Sequence, residues 1–209
     1  MGLTLRDKVS VEQVSANEYI VDGTPVDCVY LGLNNLCDTP IDLVVSGINN
    51  GPNLADDIFY SGTFAAAMEA RRMALPALSV SITQREVEHY ESAAHVAVKM
   101  ANALPKLKYH SLLAALNINM ADLPINGLRG YKATLMSERE APIAPQLQSQ
   151  DGSISTYLAG PAGDFRRVKR NRMQDFEAVE QSYVSVTPLS SNFDNGAYVD
   201  DVQSWLDTL

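Results

Sequence analysis

Three short apolar runs, separated by two helix-forming segments, constrain this chain more than any other feature. The runs lie at residues 42–46 (Asp-Leu-Val-Val-Ser), 75–82 (Leu-Pro-Ala-Leu-Ser-Val-Ser-Ile) and 112–119, the last ending Asn117-Ile-Asn119. Phe64-Ala-Ala-Ala-Met-Glu-Ala-Arg-Arg-Met73 lies between the first two and is rich in good helix formers. A longer helix is expected over 87–104, stopped by Pro105. Strands and helices that alternate in this way predict an α/β fold with a largely parallel sheet. The first run passes into a polar, Gly-rich loop, as a buried parallel strand does when its C-terminal end opens onto a site.

The flanking segments read less regularly. Residues 8–11 and 19–21 suit two short strands around Ser15-Ala-Asn-Glu18. Residues 26–35 suit a helix, with Thr24 as its N-cap and Pro25 at its first position. After Leu128 the composition changes. Strands are expected at 131–136 and 154–158, around a Pro-, Gln- and Ser-rich stretch with a hairpin turn at Asp151-Gly152. That pattern suits a projecting β arm. A short helix at 175–180, a strand at 183–187 and a terminal helix at 201–209 complete the expectation, with Trp205 anchoring the last.

The chemistry concentrates between residues 46 and 63. Ser46-Gly-Ile-Asn-Asn-Gly-Pro-Asn53 places small residues and carboxamides after a strand, and Gly47 and Gly51 allow close backbone approach to a ligand. Asn carbonyl oxygens can ligate a hard cation and Asn amides can donate to phosphate. Ser61-Gly62-Thr63 then sets two hydroxyls and unpaired N–H groups at a helix start, which favours an anion. Gly-rich loops with Asn are also common turns. The Gly-Lys-Ser/Thr ending of a P-loop is absent.

In combination these residues resemble the SurE (survival protein E) nucleotidases. The likeness runs through Gly23-Thr-Pro-Val-Asp-Cys-Val-Tyr-Leu-Gly32, Val44-Val-Ser-Gly-Ile-Asn-Asn-Gly-Pro-Asn-Leu54, Tyr60-Ser-Gly-Thr63 and Ala65-Ala-Ala-Met-Glu69. It continues through Leu75-Pro-Ala-Leu-Ser-Val80, His89-Tyr90, Leu116-Asn-Ile-Asn119, Asp122-Leu-Pro124, Asp175-Phe176 and Tyr183-Val-Ser-Val-Thr-Pro188. The resemblance implies a Rossmann-like three-layer α/β sandwich with a projecting β-hairpin arm and a C-terminal exchange element. It divides the chain into a core over 1–128 and arm and oligomerisation elements over 129–209. The implied reaction is hydrolysis of nucleoside 5′- and 3′-monophosphates with a divalent cation, Mg²⁺ or Mn²⁺, in a homodimer or homotetramer. By the motif, Asn49 matches a metal ligand, and Asn53, Ser61, Gly62 and Thr63 match positions that line the phosphate site.

The sequence departs from the family at its start. Leu3-Thr-Leu5 matches a segment that in the family follows a strand ending Asn-Asp-Asp-Gly, a helix, a second strand and a Ser-bearing loop. The N-terminal βαβ unit, the Asp pair and the Ser ligand are thus expected to be missing. Carboxylates supply most of a hard cation's binding energy, so the family's catalytic Asp pair is unassigned here. Asp56-Asp57 are adjacent acids, but they match a different position. Two functions therefore compete: the phosphatase itself, and a non-catalytic homologue that keeps phosphate-binding or oligomerisation surfaces. A weaker third is a nucleotide-binding domain of another α/β family, without metal dependence.

Other candidates are ordinary. His89 and His95 share a predicted helix at a spacing that puts them on different faces, and they read with His110 as surface residues. Tyr30 and Tyr60 read as packing or pocket-wall residues, with Tyr60 near the nucleotide, and Glu69 as structural. Cys28 and Cys37 are too few for a disulfide framework and read as buried free thiols. The net charge of −9 argues against a nucleic-acid partner, and the basic cluster from Arg166 to Arg172 reads as a solvated loop. No apolar run approaches the length of a membrane helix. Residues 1–8 lack the apolar centre of a signal peptide, so a cytoplasmic location is expected.

Overall fold

The computed structural model describes residues 2–107, 115–141, 144, 147–150, 153–155, 164–166, 168–190 and 198–207. An exposed hairpin of β1 (Ser10–Ser15) and β2 (Glu18–Asp22) leads into α1 (Pro25–Leu31), whose end widens into a π-turn over Gly32–Leu36. Thr24 caps α1 as expected: its hydroxyl accepts from the N–H of Asp27, whose carboxylate accepts from the N–H of Thr24.

Among the described residues the central sheet has five strands in the order β3 (Val44–Asn50), β4 (Ala77–Ile82), β5 (Ala115–Met120), β11 (Val184–Leu189) and β6 (Tyr131–Ala133). The first three are parallel; β11 runs antiparallel to β5 and carries β6 parallel to itself. Among the described residues β3 lies at one edge of the sheet. The change of composition after Leu128 is not a boundary of this sheet, because β6 and β11 both belong to it.

Alternation along the strands separates two faces. Leu78, Val80 and Ile82 of β4 pack with Leu116, Ile118 and Met120 of β5 and with Ala93 and Val96 of α3 (Tyr90–Ala103). On the other face Ala77 and Ala115 pack with Phe64, Ala67 and Ala70 of α2 (Gly62–Arg72). Toward the C-terminal ends of the strands this second face becomes polar. Ser79, Asn117 and Thr187 lie level across three strands, as do Ser81, Asn119 and Ser185, and all six are buried. Helices on both faces make the three-layer, Rossmann-like sandwich that the resemblance implied.

Beyond the sheet, β7 (Glu138–Arg139) pairs antiparallel with β10 (Phe165–Arg166), and β8 (Gln148–Gln150) with β9 (Ser153–Ser155), as a hairpin arm requires. The predicted turn at Asp151-Gly152, residues 156–158 of the expected strand, residues 112–114 and His110 lie outside the described residues. Helix α4 (Asp175–Glu180) has the predicted bounds, and α5 (Val199–Leu206) starts two residues early.

Several expectations need correction. Cys28 and Cys37 are free but exposed: α1 turns Val26 and Asp27 inward rather than Cys28, and Cys37 follows the π-turn. Trp205 is exposed on α5, and Tyr30 and Tyr60 are exposed too. His89 lies just before α3, which begins at Tyr90. The segment read as a loop from Ser46 onward is strand as far as Asn50, across a shift of register between Ser46 and Asn49. Gly47 makes this possible: at φ +133° it approaches β4 so closely that a Cβ would stand 2.5 Å from the Val80 carbonyl oxygen.

Candidate functional site

The C-terminal ends of parallel strands are where α/β folds open onto ligands. Here β3, β4 and β5 end level, with the N–H of Gly51 donating to the Ile82 carbonyl (2.8 Å) and that of Thr83 to the Met120 carbonyl (2.9 Å). At this rim the Asn49 amide donates from Nδ2 to the Gly51 carbonyl (2.9 Å). That bond fixes the side chain and leaves Oδ1, the atom able to ligate a cation, on its other branch.

From Gly51 the loop crosses the polar face of the sheet. Asn53 is buried there and gripped on all sides. Its N–H donates to Asn119 Oδ1 (2.9 Å), its carbonyl accepts from Asn117 Nδ2 (2.8 Å) and Asn119 Nδ2 (3.0 Å), and its own Nδ2 donates to Ser81 Oγ (2.7 Å). Ser79 Oγ holds Asn117 Oδ1 at 2.9 Å. The amide of Asn53 is thus engaged in shaping the loop. Asn117, Asn119 and Ser81 were not singled out for this role from sequence; the signal was the Asn-x-Asn alternation inside a run expected to be wholly buried.

The loop then turns through a 3₁₀ segment, Ala55–Tyr60, into α2. Ser61 is the N-cap of α2, its hydroxyl accepting from the N–H of Phe64 (3.0 Å). The N–H groups of Gly62 and Thr63 precede the first intrahelical bond and remain available to an anion at the positive end of an eleven-residue helix. Gly62 is also needed for packing, because a Cβ there would stand 3.0 Å from Pro25 Cγ. Thr63 is half-buried in the first turn.

Asp56 and Asp57 are committed elsewhere. Arg139 forms a forked pair with Asp57, Nε to Oδ1 at 2.8 Å and Nη2 to Oδ2 at 2.5 Å, and its N–H donates to Asp56 Oδ2 (3.3 Å). The guanidinium lies 4.0 Å above the Phe165 ring, which stacks on Phe176 at 4.0 Å. Behind them the fully buried Asp175 accepts from the N–H groups of Ala55 (3.1 Å), Ser137 (2.9 Å) and Phe176 (2.7 Å) and from the Ser137 hydroxyl. Burial pushes its carboxyl up despite these donors. The base of the arm and α4 therefore fix the turn that leads into Ser61.

Of the other candidates, Glu69 is buried beside Arg72 (3.3 Å), a structural position. His95 is exposed, and Arg166 and Arg170 pair with Glu138. Among the described residues no group of three His, Cys, Asp or Glu side chains is placed to hold a metal ion. Asn49 offers one neutral carbonyl, which does not fit a hard cation without carboxylates beside it.

Comparison with known proteins agrees with the fold. A family model described as Survival protein SurE matches residues 1–142. The chain is 39% identical over 210 residues to a 5′-nucleotidase SurE of Actinobacillus succinogenes, covering 99% of this chain and 82% of that one. It is 42% identical over 189 residues to a 5′/3′-nucleotidase SurE of Serratia proteamaculans, covering 90% and 72%. The crystal structure of the SurE protein of Aquifex aeolicus superposes with a TM-score of 0.80 at 30% identity, over 98% of this chain and 82% of that one.

Proposed function

Because this chain belongs to the SurE family, we propose that it is a phosphomonoesterase that hydrolyses nucleoside 5′- and 3′-monophosphates to nucleoside and phosphate. The observation that carries this is the start of α2: Ser61 spends its hydroxyl on the cap and leaves the N–H groups of Gly62 and Thr63 for phosphoryl oxygens. Water adds to phosphorus, the bond to the nucleoside oxygen breaks, and that oxygen takes up a proton. Charge gathering on the phosphoryl oxygens is met by fixed N–H donors, which need no reorganisation as the reaction proceeds. Asn49 stands at the end of β3, and Asn53, its amide engaged by Ser81, holds the loop that leads to this helix start.

Asn49 would be one ligand of a divalent cation, Mg²⁺ or Mn²⁺, and the described residues do not complete a site for it. We also propose a homodimer or homotetramer acting in the cytoplasm, without a nucleic-acid partner. No helix among the described residues is long and apolar enough to cross a membrane.

The engagement of Asp56 and Asp57 by Arg139 favours a second reading, a non-catalytic homologue that binds phosphate or assembles through the same surfaces. Phosphate release from adenosine 5′- and 3′-monophosphates, with and without Mn²⁺ or Mg²⁺, separates the two. Any cation-stimulated release is expected to be abolished by Asn49→Ala and reduced less by Asp56→Ala. No stimulated release from the wild-type chain would favour the non-catalytic homologue, and equal losses in the two variants would refute the ligand assignment.

A further inference from the structure

The rim formed by β3, β4 and β5 carries a second set of oriented groups that phosphate binding does not use. Asp122 follows β5 and organises the segment leading into α3. One carboxylate oxygen accepts from the N–H of Glu88 (2.8 Å) and the other from that of His89 (2.8 Å), while the N–H of Asp122 donates to Gln84 Oε1 (2.9 Å). The His89 ring adds a further contact, Nδ1 to Asp122 Oδ1 at 3.1 Å. The two backbone bonds hold the segment, and the ring contact in addition fixes the imidazole.

Its effect is to orient the imidazole. The N–H of Glu88, joined by the backbone and side chain of His89, holds the Asp122 carboxyl below its usual range despite burial. An ionised carboxylate can only accept, so the proton between the two groups sits on Nδ1. When the ring is neutral its lone pair lies at Nε2, on the side away from Asp122. The Asp122 side chain is 8% exposed and that of His89 33%, so the buried group fixes the open one. The next residue, Tyr90, donates from its hydroxyl to Asn50 Oδ1 at 2.7 Å, one position along the chain from Asn49. That tether holds an exposed aromatic ring at the end of β3.

A neutral imidazole that accepts at Nε2 and a flat aromatic face offer phosphate oxygens no donor. They match a sugar hydroxyl, which donates, and a base, which stacks. Building on the phosphatase reading above, we propose that His89 and Tyr90 form the nucleoside side of this site. His89 accepts a sugar hydroxyl at Nε2, Tyr90 stacks on the base, and Asp122 is a positioning residue.

Two probes test this on the full chain by calorimetric titration, with and without Mn²⁺: a non-hydrolysable phosphonate analogue of adenosine 5′-monophosphate, and inorganic phosphate. The wild-type chain should bind the analogue more tightly than phosphate. His89→Ala should weaken the analogue about tenfold relative to phosphate, the loss of one oriented hydrogen bond. Tyr90→Leu should act in the same direction, and His89→Gln should recover part of the loss through its amide carbonyl. Equal weakening of both probes by His89→Ala would make the residue a support of the phosphate loop and overturn the proposal. So would a wild-type chain that does not prefer the analogue. Binding preference with no phosphate release would overturn the phosphatase reading and uphold the nucleoside side; phosphate release without the preference would overturn the nucleoside side alone.

Discussion

Two buried carboxylates in this protein are driven in opposite directions. For Asp27 burial alone would raise the pKa, but the Thr4 hydroxyl (2.6 Å) and the N–H groups of Thr4 and Thr24 (both 2.8 Å) outweigh it and hold it at about 2. For Asp175 burial wins and the carboxyl is raised. The signs follow from linkage. Asp27 is depressed from 3.8, so its contribution is fully present above that value and is lost as pH falls toward 2. Asp175 is raised, so the folded state favours its protonated form and stability falls as pH rises from 3.8 through the folded value. Asp27→Asn should lower stability near neutral pH by about 1–2 kcal/mol. It should also flatten the acid loss over the Asp27 window, as urea denaturation at stepped pH would show; an acid limb as steep as the wild type's would place the titrating group elsewhere. Thr24-Pro25 announces the cap in sequence. The partnership of Asp27 with Thr4 does not, because 23 residues separate them.

At the scale of elements, helices were easier to anticipate than the ends of strands. Helix α2 starts at Ser61, where a capping hydroxyl should place it, and α4 ends as predicted. The extension of β3 past Gly47 was hidden because Gly-Ile-Asn-Asn-Gly has turn chemistry. Its strand conformation comes from β4, which pairs Ser81 and Ile82 with Asn49 and Asn50 beyond the register shift. The links from the arm to the 3₁₀ turn were hidden as well, since Arg139 meets Asp57 across 82 residues. This pair is partly shielded, the side chains being 15% and 28% exposed, so removing one partner costs more than at an open surface. Arg139→Ala should cost roughly 1–3 kcal/mol. A double-mutant cycle with Asp57→Ala should show coupling of about 0.5 kcal/mol or more. Strict additivity in that cycle would mean that the arm does not hold the turn through this pair.

For the molecule as a whole, the parallel order of β3, β4 and β5 was legible in the alternation of runs, whereas the reversal of β11 depended on pairing between distant segments. Composition alone could not show how much apolar surface stays uncovered. Helix α5 exposes Val199, Val202, Trp205 and Leu206 at helical spacing, with Tyr198 beside them. A cavity of about 490 Å³ lies between the 3₁₀ turn and α2, walled by Ile58, Phe59, Phe64, Met68 and Leu189. Exposed apolar surface of this kind suits assembly. Val202→Asp should therefore shift the mass measured by light scattering toward the monomer with helicity retained; an unchanged mass would remove α5 from the assembly surface.

The grip on Asn53 also bears on how such a protein can change over generations. The loop around Asn53 is moulded on Ser81, Asn117 and Asn119, side chains from the interior of two core strands. A lineage cannot retune that loop without disturbing the strands beneath it. The segment before α3, secured by Asp122 and Gln84 at the rim, carries no such debt. Sequence change has room to arise there while the loop around Asn53 is inherited intact.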